Sequence, residues 1–172
     1  RAPIVHWLNE GLGRGRPNAG HLTVAHLFVA GARVWTVNFD RLIETAVAPA
    51  LPSVAAPTTP ADLGAVLKPH GTLGGELVFT SSHVLGALPI AWKKRLQSDV
   101  ESSDLIIIVG YRGMDLDFVP VWNEVIGEKR VLWFDTPDAA EQERKRRLLP
   151  LAARAGSLEF PPPRPTPSGN LN

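Results

Sequence analysis

Five consecutive aliphatic residues, Leu105 to Val109, constrain the fold of this 172-residue chain more than any other stretch. A continuous β-branched run of this length is typical of a central parallel strand that helices cover on both faces. The run ends at Gly110-Tyr111-Arg112-Gly113-Met114-Asp115, and a helix is predicted from about Asp117 to Ile126. This order of elements leaves backbone N–H groups available to a phosphate, although a tight turn without a ligand has the same pattern.

Strands and helices alternate along the rest of the chain. Further strands are predicted at Arg33 to Val37, Val66 to His70, Glu76 to Thr80, Val131 to Phe134 and Ser157 to Phe160. Helices are predicted from Pro17 or Asn18 to Gly31, from about Arg41 to Ala48, within an amphipathic segment from Ser81 to Ser102, and from Thr136 or Asp138 to Leu149. The alternation predicts an α/β fold of the Rossmann-like, doubly wound type, with a mostly parallel sheet and helices on both faces.

Composition limits the domain organisation and the partners. Residues 1–160 are expected to form one domain, and the proline-rich residues 161–172 a disordered tail. A formal charge of +1 and the absence of a long apolar run favour neither a nucleic-acid nor a membrane partner. The expected location is the cytoplasm, with which the absence of cysteine is compatible. The chain has no cysteine, which excludes disulfides and thiolate metal sites, and no metal is expected.

Polar groups follow three of the predicted strands. Asn38 and Asp40 come directly after the strand at Arg33 to Val37, His70 ends the next one, and the glycine turn at Gly110 follows the third. Ligands of open α/β sheets bind in the crevice outside the carboxyl ends of the strands. A simpler interpretation also stands, in which Asp40 caps a helix, Asn38 is a turn residue and His70 is a satisfied histidine.

Other features favour structural roles. The first helix is expected to bury a stripe of four apolar residues, namely Leu22, Ala25, Leu27 and Phe28. His21 and His26 are interpreted as ordinary residues of that helix. Gly11 to Arg16 resembles a phosphate loop only superficially because no strand precedes it. The basic run Arg144 to Arg147 is predicted to be the solvated face and last turn of its helix.

These residues together resemble a known family, the sirtuins. The segment Pro17-Asn18, His21, Ala25, Leu27, Gly31, Thr36-Val37-Asn38-Phe39-Asp40-Arg41-Leu42 and Ala46 resembles the sirtuin pattern Pro-Asn, His, Leu-Ala, Gly, Thr-Gln-Asn-Ile-Asp-x-Leu. His70-Gly71-Thr72-Leu73 resembles the sirtuin His-Gly-Ser motif. The turn from Gly110 to Asp115 is similar to the Gly-Tyr-Ser-x-x-Asp of bacterial sirtuin-like domains in antiphage defence proteins. The motifs span Pro17 to about Asp135.

The resemblance implies NAD as the substrate and cleavage of its nicotinamide glycosidic bond as the reaction. Asn38 would hold the ribose hydroxyls and the attacking water, Asp40 the nicotinamide carboxamide, and His70 would act as general base, which suits the near-neutral pKa of histidine. The implied NAD-contacting residues are Thr36, Asn38, Asp40, His70, Gly110, Tyr111, Arg112 and Asp135.

Two departures from the family pattern bear on the activity. Sirtuin deacylases carry a four-cysteine zinc module, and this chain has no cysteine, which favours hydrolysis of NAD to nicotinamide and ADP-ribose over deacylation. The sirtuin Gly-Ala-Gly phosphate turn is also missing before Pro17, so we expect a truncated fragment of a longer parent. Hydrolysis is expected of the full-length parent, and the activity of the fragment itself is left open. A module that senses NAD or ADP-ribose without turnover, a zinc-dependent deacylase and a purely structural domain remain alternatives. Further domains and a homo-oligomer are left open.

Overall fold

The computed structural model describes residues 6, 10–11, 13–48, 53–54, 58, 64–73, 77, 88–115, 117–134 and 138–161. The chain divides into two compact units, Arg1–Val84 and Leu85–Asn172. Most of the predicted strand Glu76 to Thr80, the first part of the segment from Ser81, and all of the predicted tail except its first residue lie outside the described residues. None of the helices within the described ranges has the length and apolar character that crossing a bilayer requires.

The described part of the first unit includes two helices and two short strands. They are α1 (Ala19–Val29), α2 (Leu42–Val47), β1 (Ser53–Val54) and β2 (Val66–Leu67). Helix α1 begins where the sequence predicts, because Asn18 and His21 form a reciprocal capping box, with the Asn18 side chain accepting from the His21 N–H at 3.2 Å. After the helix, Gly31 has a positive φ of 97°, a conformation that glycine adopts readily.

The predicted apolar stripe of α1 is only partly correct. Ala25 is buried, whereas 45% of Leu22 and 36% of Leu27 remain exposed, and Phe28 is half-buried. Helix α1 packs against α2. Ala25 is the one residue of α1 that is buried.

The strand predicted at Arg33 to Val37 is reduced to a single parallel bridge between Trp35 and Leu67. The Thr36 N–H donates to the Leu67 carbonyl at 3.0 Å, and the Leu67 N–H donates to the Val34 carbonyl at 2.9 Å. On its other side β2 pairs in parallel with β1, Ser53 opposite Val66. The pairing cannot extend further because β2 is two residues long.

The second unit is a three-stranded parallel sheet with helices. Its elements are α3 (Ile90–Glu101), β3 (Leu105–Val109), α4 (Val119–Ile126), β4 (Arg130–Phe134), α5 (Ala139–Leu148), α6 (Pro150–Arg154) and β5 (Leu158–Glu159). The strand order is β3-β4-β5, with Leu105 opposite Arg130 and Val131 opposite Leu158. Asp138 caps α5 by accepting from the Ala140 N–H at 2.8 Å. The predicted α/β class with a parallel sheet flanked by helices is confirmed.

The core of the second unit lies on one face of this sheet. Its buried members are Ile108, Ile126, Val131, Trp133, Leu149 and Ala152. The expectation that both faces of β3 are buried is wrong for one face, on which Leu105, Ile107 and Val109 are 37%, 39% and 50% exposed. Side chains alternate along a strand, so a continuous aliphatic run cannot itself reveal that one face remains open.

Candidate functional site

The segment that follows Trp35 carries three predicted site residues. Asn38 is exposed, and its backbone N–H donates to Thr36 Oγ1 at 3.1 Å. Asp40 is half-buried, and its Oδ1 accepts a hydrogen bond from the backbone N–H of Leu42 at 3.0 Å. Asp40 thus satisfies a backbone donor at the start of α2, as the simpler interpretation of this residue expects. The contact uses Oδ1 and is compatible with a ligand at Oδ2.

His70 lies in a tight turn directly after β2. The Gly71 N–H donates to the Lys68 carbonyl at 3.0 Å, so Pro69 and His70 are the central residues of the turn. Proline suits the first central position because its ring fixes φ, and Gly71 has a positive φ of 89°. His70 is 5% exposed. The imidazole is therefore held on a hydrogen-bonded, buried turn.

Backbone hydrogen bonds join the two motif segments. The bridge at Trp35 fixes the register before the motifs, and the N–H of Leu73 donates to the carbonyl of Phe39 at 2.9 Å after the His70 turn. One contact therefore lies before Asn38 and His70 in the paired segments, and the other lies after them. The structure therefore places Thr36, Asn38, Asp40 and His70 in one connected part of the first unit.

A buried ion pair adds a side-chain connection between these segments. The Lys68 ammonium lies 3.0 Å from Glu44 Oε1 on α2 and also donates to the carbonyl of Asp40. Both side chains are 1% exposed. Neither residue was among the predicted site residues. A lysine between the apolar Leu67 and Pro69 was the available signal, because a buried charge needs a partner.

Thr72 carries a buried hydroxyl two residues after His70. Its Oγ1 has no hydrogen-bond partner among the residues that the structure describes. A hydroxyl that is removed from water without a partner loses hydrogen bonds, so a polar ligand that reaches it would restore one. Thr72 was quoted as part of the His-Gly motif but was not among the predicted site residues.

The glycine turn after β3 is fixed by three contacts within the second unit. The Gly110 N–H donates to the Phe134 carbonyl at 3.1 Å. The Trp133 indole N–H donates to the Tyr111 carbonyl at 3.1 Å, and Arg144 donates to the carbonyl of Arg112. The turn is thus ordered by the neighbouring strand and by α5. The N–H of Gly110 is already occupied, so it is not one of the free phosphate donors expected from the sequence.

Two glycines allow the chain to turn here. Gly110 has a φ of 62°, and a Cβ added to it would meet no atom of the described residues within 4 Å. Gly113 has a φ of 71°, and a Cβ there would lie 2.5 Å from Leu148 Cδ1. A side chain at Gly113 would therefore be strained and would displace Leu148 of α5, whereas the described residues leave space beside Gly110.

Aromatic rings surround Tyr111. Its ring centroid is 4.8 Å from that of Trp122 and 6.4 Å from that of Trp133. Burial, reinforced by the negative charges of Asp115 and Asp117, raises the pKa of the Tyr111 phenol well above its usual range. Tyr111 therefore stays neutral at physiological pH, and its hydroxyl can donate as well as accept a hydrogen bond.

The basic run Arg144 to Arg147 was predicted to be a solvated face, and this prediction is wrong for Lys145. Its side chain is completely buried, and its ammonium lies 5.3 Å from the centre of the Trp133 ring. Burial, together with the charge of Arg112, lowers the pKa of Lys145. Arg146 and Arg147 are exposed, as predicted. The prediction failed at Lys145 because an aromatic ring supplied by β4 can cover a lysine stem and attract its charge.

We expect Lys145→Met to raise the free energy of unfolding at neutral pH by up to about 1 kcal/mol, because burial of the charged ammonium destabilises the native state. A lysine pKa lowered by folding means that the charge destabilises the native state at pH values below the folded-state pKa. This penalty shrinks as the pH rises toward the ordinary pKa of lysine. The difference in the free energy of unfolding between variant and parent should therefore be smaller at about pH 9.5 than at about pH 6, as measured by urea unfolding. The exposed Lys94→Met is the control, and a difference that widens with pH would contradict the assignment.

The predicted site residues thus fall into two groups. Thr36, Asn38, Asp40 and His70 lie in the first unit, and Gly110, Tyr111 and Arg112 lie on the turn of the second. Asp135 lies outside the described residues. Residues that sequence reasoning missed, Lys68, Glu44 and Thr72, all adjoin the first group.

A comparison with family models matched residues 32–153, more than half of the chain, to the family described as SIR2-like domain. The matched range includes the Asn38, His70 and Gly110 motifs. Neither the curated proteins nor the solved structures that were compared gave a match.

Proposed function

The chain belongs to the SIR2-like domain family, and from this membership we propose that it binds NAD and hydrolyses it to nicotinamide and ADP-ribose. SIR2-like domains use NAD. The observation that carries the proposal is the connected arrangement of Asn38, Asp40 and the buried His70 in the first unit. The absence of cysteine from the chain argues against a deacylase with a zinc module.

The reaction requires orientation and charge stabilisation at the nicotinamide ribose. Departure of nicotinamide leaves an oxocarbenium-like sugar, which a water molecule then attacks. We assign Asn38 to the ribose hydroxyls and this water, because its side chain belongs to an exposed residue that substrate can reach. Asp40 Oδ2 would accept from the carboxamide N–H groups, while Oδ1 keeps its bond to the N–H of Leu42.

We assign His70 as the general base. A neutral imidazole can take a proton from a ribose hydroxyl or from water. The β-turn between Lys68 and Gly71 fixes the backbone at this residue, which favours one orientation of the ring. The Thr72 hydroxyl would donate to, or accept from, the same part of the ligand.

The turn of the second unit would contact the adenosine ribose and the phosphates. The space that the described residues leave beside Gly110 would permit a close backbone approach, Tyr111 offers a neutral hydroxyl, and Arg112 supplies a positive charge. Asp135 would lie near the adenosine end. We propose that residues 1–160 act as one NAD-binding domain and that the Gly-Tyr-x-x-x-Asp turn reflects a role in bacterial antiphage defence.

Nicotinamide release from NAD tests this proposal. We expect the purified protein to release nicotinamide, and His70→Ala to lower the rate by about 10² to 10⁴. Asn38→Ala should also lower it. The matched control is His26→Ala, which removes an exposed histidine of α1 and should leave the rate unchanged.

Two outcomes would contradict hydrolysis in different ways. Equal nicotinamide release by the parent, His70→Ala and Asn38→Ala proteins would remove the assigned residues from the reaction. Calorimetric binding of NAD without any release would identify a module that senses NAD or ADP-ribose instead.

A further inference from the structure

Lys68 occupies an unusual position beside the proposed reaction centre. It is two residues before His70, and its ammonium donates to the carbonyl of Asp40, two residues after Asn38. Its charge is balanced by Glu44 Oε1 at 3.0 Å. One buried side chain therefore contacts the Asp40 segment and α2 while its own backbone begins the His70 turn.

Stability alone gives no reason for burying these two charges. Removing an ammonium and a carboxylate from water is costly, and apolar residues of similar volume often replace a buried ion pair without loss of stability. Such residues would fill the space of Lys68 and Glu44. They could not donate to the Asp40 carbonyl, because an apolar side chain has no N–H group.

We propose that Lys68, balanced by Glu44, is a positioning residue that fixes the Asn38–Asp40 segment against the His70 turn. The inference rests on the proposed function for its kinetic consequence, since those are the residues assigned to the nicotinamide end of NAD. Glu44 has two tasks in this arrangement. It orients the ammonium toward Asp40, and it cancels a positive charge next to the place where the cationic nicotinamide ring would bind.

Backbone hydrogen bonds also hold the Asn38–Asp40 segment, but at different points from Lys68. The Leu73 N–H to Phe39 carbonyl bond and the Trp35 bridge define the two ends of the paired segments. Lys68 acts between these ends, at the carbonyl of Asp40 itself. A small displacement at a reacting centre has large kinetic effects, of the order of 10² for about 1 Å.

The test is the charge-free double variant Lys68→Met/Glu44→Leu in the full chain. We expect it to unfold at a temperature close to that of the parent, with kcat for nicotinamide release lowered by about 10² and KM for NAD changed by less than about threefold. The matched control is Arg95→Met/Asp99→Leu, which removes another partly buried pair, at 3.2 Å, on α3. That variant should keep both kinetic constants.

A spectroscopic measurement separates this inference from the proposed function. The ring ¹⁵N and ¹H signals of His70, assigned by comparison with His70→Gln, should shift in the Lys68→Met/Glu44→Leu protein and not in the control. Shifted His70 signals support positioning even if the parent releases no nicotinamide, in which case only the hydrolase proposal fails. Unchanged His70 signals in a folded double variant overturn the inference. If Met/Leu does not fold, Lys68→Met/Glu44→Gln, which keeps the shape of Glu44, is measured in the same way.

Discussion

Glu44→Leu alone is expected to lower the free energy of unfolding by about 3 to 5 kcal/mol. The substitution replaces the carboxylate side chain with an apolar one of similar volume. It therefore leaves the Lys68 ammonium buried without this carboxylate. Lys68 is 1% exposed, so water cannot replace the lost partner without opening the unit. Urea unfolding followed by circular dichroism measures the loss.

The control for this prediction is Glu124→Leu, which removes the carboxylate of a solvent-exposed pair. Glu124 is 62% exposed and lies 2.6 Å from the Lys93 ammonium on α3. Exposed pairs contribute about 1 kcal/mol or less, so this substitution should have a small effect. Similar losses for the two variants would show that the burial of the Lys68–Glu44 pair does not govern its energetics.

Trp133→Ala is expected to destabilise the second unit by about 3 to 5 kcal/mol. Trp133 has no exposed surface and belongs to the core of the three-stranded sheet. Its loss would leave a cavity next to Trp122 and Tyr111, and it would also free the Tyr111 carbonyl from the indole N–H. Tryptophan fluorescence is unsuitable for a variant that removes a fluorophore, so urea unfolding by circular dichroism is the measurement.

Trp133→Phe separates the two parts of this effect. Phenylalanine keeps an aromatic ring in the core but cannot donate to the Tyr111 carbonyl, so we expect a loss of about 1 to 3 kcal/mol. If Trp133→Ala proved no worse than Trp133→Phe, the hydrogen bond and not the packing of the ring would dominate.

Local patterns predicted the second unit well. The runs at Leu105 and Val131, the Asp138 cap and the glycine turn at Gly110 each depend on residues close together in sequence, and β3, β4 and α5 lie where these signals indicate. The strand at Trp35 was predicted too long because its length depends on its partner β2, which is 31 or more residues further along the chain. A single-segment pattern contains no information about that partner.

Burial of charge was the least predictable feature of the candidate site. Lys68, Glu44 and Lys145 are ordinary surface residue types, and each is buried because a distant residue covers or neutralises it. Four apolar or small residues recur at helical spacing along α2, Leu42, Ile43, Ala46 and Val47, yet the buried residue of that helix is Glu44. The order of the motifs indicated Asn38, Asp40 and His70 as candidate site residues. It contained no signal for the Lys68–Glu44 ion pair that connects their segments.

The open face of β3 has a consequence for the behaviour of the protein at high concentration. Leu105, Ile107 and Val109 present apolar surface on a strand of high β propensity that carries no charge and no proline, which is the composition of segments that assemble into intermolecular sheets. We therefore expect concentrated solutions to bind a dye that reports exposed apolar surface and to scatter light progressively. Ile107→Lys, which places one charge in the middle of that face, should suppress both signals, and an unchanged onset of scattering would show that another surface drives assembly.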